Sequence, residues 1–389
     1  MLESGHRVFH DAFREPGSQG ENMKISAARS FLLKVPIGKL IADSMQQVTD
    51  LEFAGIIIRT ECGLEGTGYT VTVGHGGEVI RSVIDTLFIE NLIGQNPQHV
   101  REIWQKLYYG RSHWIGRAGA TTMAQAAVDI ALWDILAKSA KLPLWRLLGG
   151  ARSADVPIYN THAGWLNYSL DQLKEEIRSL LDQGYRAIKM KVGGPSMAED
   201  VKRVSAIRQF LADDILLMID ANQKWDLEQA RLAFRSMEGL ALSWIEEPLH
   251  PDDIAGHAEL HSRANLPVAL GEHVYTTHAF RDYIDRPAVD IVQVDVCRVG
   301  GITPWLQVAA MAEAANLRVC PHAGDVMQVH QHLVKVIPNH WLLEVIPIWE
   351  NSPFRHPIQL RDGFCRSPET PGADTEFTPE AFERFSVRQ

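Results

Sequence analysis

From Asp155 onward the chain repeats one rhythm: a short apolar run, a helical stretch, then another apolar run. The runs fall at 156–161, 186–191, 215–220, 242–247, 267–271, 291–295, 317–321 and 342–345. Helical stretches such as Leu170–Gly184, Ala198–Leu211 and Leu227–Gly239 separate them. Strands that alternate with helices run parallel, because each helix carries the chain back to the edge where the last strand began. Eight such strands fit an α/β barrel of the TIM type better than an open sheet. A barrel of that kind fills about 200–250 residues by itself. A chain of 389 residues therefore has room for a second domain.

That second domain comes first in the chain. Three β-rich runs, Ser30–Val35, Glu52–Thr60 and Gly66–Thr72, precede helical stretches at 78–92, 97–108 and 121–140. Pro143 ends the last of these, and Gly149-Gly150 marks a boundary. The expected organisation is an extension over 1–22, an α+β domain over 23–150, a barrel over 151–348 and a tail over 349–389. The extension is polar and unpatterned, so it is expected to be loosely ordered. The tail is Pro-rich and lacks a good amphipathic helix. The last barrel helix is therefore expected to be missing, replaced by a segment that returns to the first domain.

The formal charge is −10, and no block of five or six like charges occurs. That pattern argues against nucleic acid or an anionic membrane surface as partner. Cys62, Cys297, Cys320 and Cys365 form no CxxC pair and read as reduced, mostly buried thiols. There is no apolar run of membrane-spanning length and no N-terminal apolar segment of the secretory kind, so the expected location is the cytoplasm.

In a β/α barrel the functional groups sit at the C-terminal ends of the strands, where the βα loops converge. Three successive runs end in an acid: Leu217-Met-Ile-Asp220, Trp244-Ile-Glu246 and Ala269-Leu-Gly-Glu272. The spacings are 246 − 220 = 26 and 272 − 246 = 26 residues, about one βα unit each. Each acid alone could merely cap the next helix. Three at one height on adjacent strands repel unless a cation sits among them, and a hard divalent ion such as Mg²⁺ suits an all-oxygen set. Glu247 is not expected to join them, because strand alternation puts it opposite Glu246. The second run ends Lys189-Met-Lys191, which places both lysines on one face. Crowding of like charges, with a cation nearby, is expected to lower one lysine's pKa and suit it to be a base. Asp295 and His322 end the sixth and seventh runs and are expected to pair, the carboxylate orienting the imidazole. His330 and His332 read as structural. Gly74-His-Gly76-Gly77 lacks the GxGxxG order, so it carries little weight for nucleotide binding.

Taken together, Lys189-Met-Lys191, Asp220-Ala-Asn222, Glu246-Glu-Pro248, Gly271-Glu272, Asp295 and His322 resemble the enolase superfamily, mandelate racemase subgroup. Asp129-Ile-Ala-Leu-Trp-Asp134 and Leu142–Gly150 add a first-domain marker of the same family. The resemblance implies an N-terminal α+β capping domain over a modified TIM barrel, (β/α)7β. It also implies one Mg²⁺ per subunit, held by Asp220, Glu246 and Glu272, and abstraction of the proton α to a substrate carboxylate. Carried over by position, Lys191 is the base on one face and Lys189 neutralises the carboxylate. His322, supported by Asp295, acts on the other face. Glu344 hydrogen-bonds the enediolate, and Asn222 contacts a substrate hydroxyl or the metal's shell. His273 is a further candidate substrate contact. Ala163–Tyr168, Asp220–Gln223 and Pro321–Gly324 resemble acid-sugar (fuconate-type) dehydratases, while the first domain is as similar to anhydrosugar-acid cycloisomerases. The expected partner is a small sugar acid, and the family implies a homo-oligomer. A dehydratase is the leading expectation, with a cycloisomerase, racemase or epimerase as the alternative and a non-catalytic sugar-acid sensor behind both. Substrate choice is expected to lie in loops near 37–46 and 66–77 of the cap, together with the barrel loops.

Overall fold

Three antiparallel strands, β1 (Ile25–Ala42), β2 (Gln47–Thr60) and β3 (Glu65–Val73), open the fold in the computed structural model. It describes residues 23–110, 112–150, 155–263 and 265–388, so the extension expected over 1–22 lies outside the described residues. The sheet is apolar on both faces because it is covered on both. Leu33 and Phe53 enter the main core, whereas their neighbours Leu32 and Ala54 pack with the cap helices. The strands run further than the sequence suggested. Residues 37–42 continue β1 past an irregularity in its register between Pro36 and Ile41, leaving only 43–46 as the turn. The side chain of Asp43 closes that turn, its Oδ1 accepting from the N–H groups of Met45 (2.7 Å) and Gln46 (2.8 Å). Most of 66–77 is likewise strand, up to Val73.

The helix Ala120–Ser139 lies across the sheet and is buried on nearly every side, which explains its Ala-rich sequence. Gly68 permits the close approach: a Cβ there would stand 1.9 Å from the carbonyl oxygen of Ala127. Gly68→Ala is therefore expected to destabilise the protein by about 1–3 kcal/mol, read as a lowered thermal midpoint. An unchanged midpoint would contradict this packing. Two acids of the same helix join the cap to later parts of the chain. Asp129 accepts from the Thr303 N–H (2.9 Å) and hydroxyl (2.7 Å), and Asp134 accepts from the N–H groups of Thr67 and Ala373.

Eight parallel strands follow, at the eight places the rhythm indicated: β4 (Val156–Asn160), β5 (Ala187–Lys191), β6 (Leu216–Asp220), β7 (Leu242–Glu246), β8 (Val268–Leu270), β9 (Ile291–Val292), β10 (Arg318–Val319) and β11 (Leu343–Val345). They pair in sequence from β4 to β10, and β11 pairs with β4. The run into β11 also touches β10. Val319 donates to Asn339 O (3.0 Å) and accepts from Trp341 N–H (3.1 Å). One segment therefore joins both ends of the parallel sheet, as a (β/α)7β barrel requires. The interior layer beneath the site is filled from all around the ring, by Tyr159, Met218, Trp244, Ile291, Cys320 and Leu342 among others.

The helices between strands begin where local capping sets them. Ser169 with Gln172, and Asp226 with Gln229, form reciprocal capping boxes. Among the described residues no helix follows β11 until Pro379–Phe385. Instead the hairpin of 360–361 and 364–365 pairs with β4, and further on Val387 N–H donates to Leu32 O in the cap (2.9 Å). Cys297, Cys320 and Cys365 are buried and Cys62 is exposed. Among the described residues no helix is long and apolar enough to cross a membrane.

Candidate active site

Strand ends deliver the acids. Asp220 and Glu246 are the last residues of β6 and β7 and pair directly, while Lys191, the last of β5, pairs with Asp220. Glu272 follows β8 past Gly271, whose φ of +147° and close approach to the Gln293 backbone leave no room for a Cβ. Oxygens of Asp220, Glu246 and Glu272 lie within 4.8 Å of one another, and all three residues are buried.

Both lysines of β5 point into this cluster. Lys189 Nζ lies 2.6 Å from Glu246 Oε1, 2.8 Å from Glu344 Oε1 and 3.4 Å from Asp220 Oδ2. Lys191 Nζ lies 2.6 Å from Asp220 Oδ2. The lowered lysine pKa expected from the sequence does not emerge from the protein's own groups. Burial and Lys189 pull Lys191 down, but Asp220, Glu272 and Glu246 outweigh them and hold it above its ordinary range. Lys189 is likewise held well above, the charges of Glu246 and Glu344 overcoming its burial. Four carboxylates surround two ammonium groups, so attraction exceeds like-charge crowding.

Across the barrel, His322 Nδ1 meets Asp295 Oδ2 at 2.8 Å and His322 Nε2 lies 3.2 Å from Glu272 Oε2. The two strands stop earlier than expected. Asp295 lies beyond β9 as the cap of a short helix, its Oδ1 accepting from the Cys297 and Arg298 N–H groups. Burial pulls His322 down, yet Glu272 and the Asp295 hydrogen bond more than offset it and hold the imidazole up at about 9. The Asp295 carboxylate thus orients the imidazole through Nδ1 and leaves Nε2 toward Glu272. Glu344 on β11 accepts from the Thr161 hydroxyl and from Ala323 N–H (2.9 Å). Against its burial, Lys189 and His322 hold its carboxyl down at about 2.

Two side chains sit on left-handed backbone just past a strand end. Glu247 has a left-handed backbone (φ +37°), and its carboxylate meets His273 Nδ1 at 3.0 Å and Gln223 Nε2 at 2.9 Å. His273 lines the cavity, but its Nδ1 is engaged by Glu247 and stands 3.2 Å from Glu272. Asn222 (φ +44°) donates its N–H to Asp220 Oδ1 at 2.8 Å, while its own buried Oδ1 has no partner in the protein. Asn222 is one of the residues lining a cavity of about 320 Å³ between the barrel mouth and the cap, together with Lys191, Glu272, His322 and Glu344.

Several contributors went unread in the sequence. Trp244 and Gln293 both donate to Glu246 Oε2, at 3.1 and 2.5 Å, and Arg298 Nη1 stands 3.7 Å from Asp295 Oδ2. Trp244 could have been found two residues before Glu246 on the same strand face, and Arg298 one helical turn after Asp295. Gln293 and Thr161 gave no signal, because their partners come from distant strands. His330 is buried and structural, accepting from Val296 N–H and bonding His322 O at 2.7 Å. His332 is buried beside Asp374.

The donor set fits a hard divalent cation. Every candidate ligand is a carboxylate oxygen, and Glu246 carries the cost of the crowding. Burial raises its pKa well above the ordinary range, and Asp220, Glu344 and Glu272 add to this against the pull of Lys189. A cation among these oxygens would relieve that repulsion.

A capped, parallel α/β barrel with an acidic cluster at its strand ends defines a class of enzymes whose chemistry lies at the barrel mouth. The chain matches the mandelate racemase / muconate lactonizing enzyme N-terminal domain over residues 32–149 and the enolase C-terminal domain-like family over residues 172–381. It belongs to this mandelate racemase / muconate lactonizing enzyme family of the enolase superfamily. It is 38% identical over 352 residues to L-talarate/galactarate dehydratase of Salmonella typhimurium, covering 90% of this chain and 86% of that protein. It is 35% identical over 366 residues to 3,6-anhydro-alpha-L-galactonate cycloisomerase of Streptomyces coelicolor, covering 93% and 99%. The crystal structure of the Salmonella typhimurium dehydratase liganded with Mg and L-lyxarohydroxamate superimposes with a TM-score of 0.88 at 34% identity, covering 100% of this chain and 98% of that one.

Proposed function

We propose that this protein is a Mg²⁺-dependent sugar-acid dehydratase, a hydro-lyase that converts a sugar acid to its 2-keto-3-deoxy product. One observation carries the reading: Lys191 and His322 bracket the acidic cluster, Lys191 touching Asp220 at its first acid and His322 touching Glu272 at its last. A carboxylate substrate seated at that cluster has the Lys191 amine on one side and the His322 imidazole on the other.

Mg²⁺ held by Asp220, Glu246 and Glu272 would offset the negative charge growing on the substrate carboxylate and cancel the acids' hold on Lys191. Lys191, as the neutral amine, takes the C2 proton, and the bonding electrons move into the carboxylate as an enediolate. Lys189 faces the same charge from beside it. The electrons then return and expel the C3 hydroxyl, which takes the His322 proton and leaves as water. Asp295 holds the imidazole in place through Nδ1, so the proton is given from Nε2. The enol tautomerises to the 2-keto-3-deoxy acid. Glu344 anchors Lys189 and Thr161, and donates to the enediolate only after taking up a proton. Asn222, which lines the cavity beside Asp220, is the contact for a substrate hydroxyl or for the metal's shell in this reading. His273, tied to Glu247, reaches substrate only through its remaining ring edge.

Near-full-length similarity to a cycloisomerase supports a second reading, a cycloisomerase or racemase with the same first step. A panel of sugar acids with Mg²⁺, assayed for 2-keto acid and for C2 deuterium exchange, separates the two. Dehydration yields the keto acid; isomerisation yields exchange without it. Silence of the folded, Mg²⁺-loaded protein in both assays would sink both. Chelation by EDTA is expected to abolish turnover and lower the thermal midpoint, with both restored by Mg²⁺. Turnover that survives complete chelation would remove the metal from this reading.

A further inference from the structure

We propose that Asp129, on the cap helix Ala120–Ser139, is a positioning residue for the Asp295–His322 pair of the barrel. The inference rests on the dehydratase reading, in which His322 delivers the proton to the departing hydroxyl. It concerns how the other domain holds that donor in place.

Asp295 caps the single turn Val296–Val299, and its Oδ2 meets His322 Nδ1 at 2.8 Å. The chain then passes through Gly300 and Gly301, both at positive φ (+101° and +111°), and enters the helix Ile302–Ala314. Two successive glycines make a permissive joint that holds no orientation by itself. The turn that carries Asp295 therefore depends on what grips it from outside. His330 holds its start through Val296 N–H, and the cap holds its end. Trp104 Nε1–H donates to Gly300 O at 2.9 Å. Asp129 accepts from the Thr303 N–H at 2.9 Å and from the Thr303 hydroxyl at 2.7 Å, capping the barrel helix from another domain. Trp133 Nε1–H donates to the same hydroxyl at 3.0 Å.

The joint is shaped to this acid. A Cβ at Gly301 would stand 2.4 Å from Asp129 Oδ2, so the glycine is what admits the carboxylate. The loop after His322 is tied to the cap as well. Tyr69 on β3 donates its hydroxyl proton to Val326 O at 2.8 Å and accepts from Gln328 N–H at 3.0 Å. Both members of the pair thus take their placement partly from the cap. Asp129 is buried and does not line the cavity, so it reaches the chemistry only through the glycine joint.

The test uses the Mg²⁺-loaded full chain with Asp129→Asn, which turns an amide toward two donors, and Thr303→Val, which removes the shared hydroxyl. Thr303→Ser keeps that hydroxyl and serves as the conservative variant. Asp129→Asn and Thr303→Val are expected to lower kcat for keto-acid formation by about ten- to hundredfold, the scale of a small misplacement of a reacting group, with C2 exchange and KM within about twofold of the parent. Thr303→Ser is expected to match the parent. A second readout is the proton resonance of His322 Nδ1–H, assigned by its loss in His322→Asn. It is expected to move in the first two variants and to stay in place in Thr303→Ser. Parental exchange and keto-acid formation in folded Asp129→Asn and Thr303→Val overturn the inference. So does an equal fall of both activities while His322→Asn spares exchange, since that pattern marks Asp129 as structural only. If the parent protein forms no keto acid, the dehydratase reading falls and the resonance decides. A signal moved in Thr303→Val and kept in Thr303→Ser then supports the positioning role, and a signal unmoved in both removes it. Should Asp129→Asn not fold, the two Thr303 variants decide by the same outcomes.

Discussion

Lys191→Ala is expected to lower turnover by about a thousandfold and to abolish C2 deuterium exchange along with it, within the range that a positioned base contributes. The exchange assay matters more than the rate. Lys191 also neutralises Asp220 at 2.6 Å, so a loss of activity alone could come from a disturbed acidic cluster. Loss of the base stops exchange while Mg²⁺ still raises the thermal midpoint; loss of the metal site removes that midpoint shift as well. The alanine protein is expected to keep the shift, since removing an ammonium from beside Asp220 leaves the carboxylates more available to a cation. If exchange persists at the parent rate, the base on that face is another group. Unchanged turnover with retained ligand binding would remove Lys191 from the chemistry altogether.

His322→Asn is expected to separate the two halves of the reaction. Formation of the 2-keto acid should fall by about a hundred- to ten-thousandfold, because the C3 hydroxyl loses its proton donor. C2 exchange by Lys191 should continue, since the enediolate still forms and returns. The geometry favours this division. His322 reaches the acidic cluster only at Glu272, and its other nitrogen is committed to Asp295. If exchange and elimination fall together, His322 would be the base and the order of the two groups would reverse. A cycloisomerase would show a third pattern, with isomer formation lost and no keto acid in the parent protein to begin with.

Much of this site could be read before any coordinates. Asp220 and Glu246 sit on the final residues of their strands, and Glu272 two residues beyond its own, as the 26-residue spacing implied. Lys189 and Lys191 face the interior together, as strand alternation demands. The misreadings share a cause. Glu247 was placed on the far side of its strand, but a left-handed φ just after β7 swings its carboxylate to His273. Residues 37–42 read as a loop and are strand, because the end of β1 pairs across the 43–46 turn with the start of β2. Like-charge crowding does not by itself lower a lysine pKa here, because Asp220, Glu272 and Glu246, from three other strand ends, outweigh the effect of Lys189 on Lys191.

Strand rhythm, βα unit length and side-chain alternation are local quantities, set by a few neighbouring residues, and they were legible in the chain. They determined the eight strands, the cap ahead of them, and the positions of three acids and two lysines. Distances between residues far apart in sequence are another matter. Only the tertiary structure brought His322 to Glu272 and gave Glu246 its partner Gln293. Charge states followed the same division, because a carboxylate's pKa depends on burial and on every charge within a few ångströms, wherever in the sequence that charge originates.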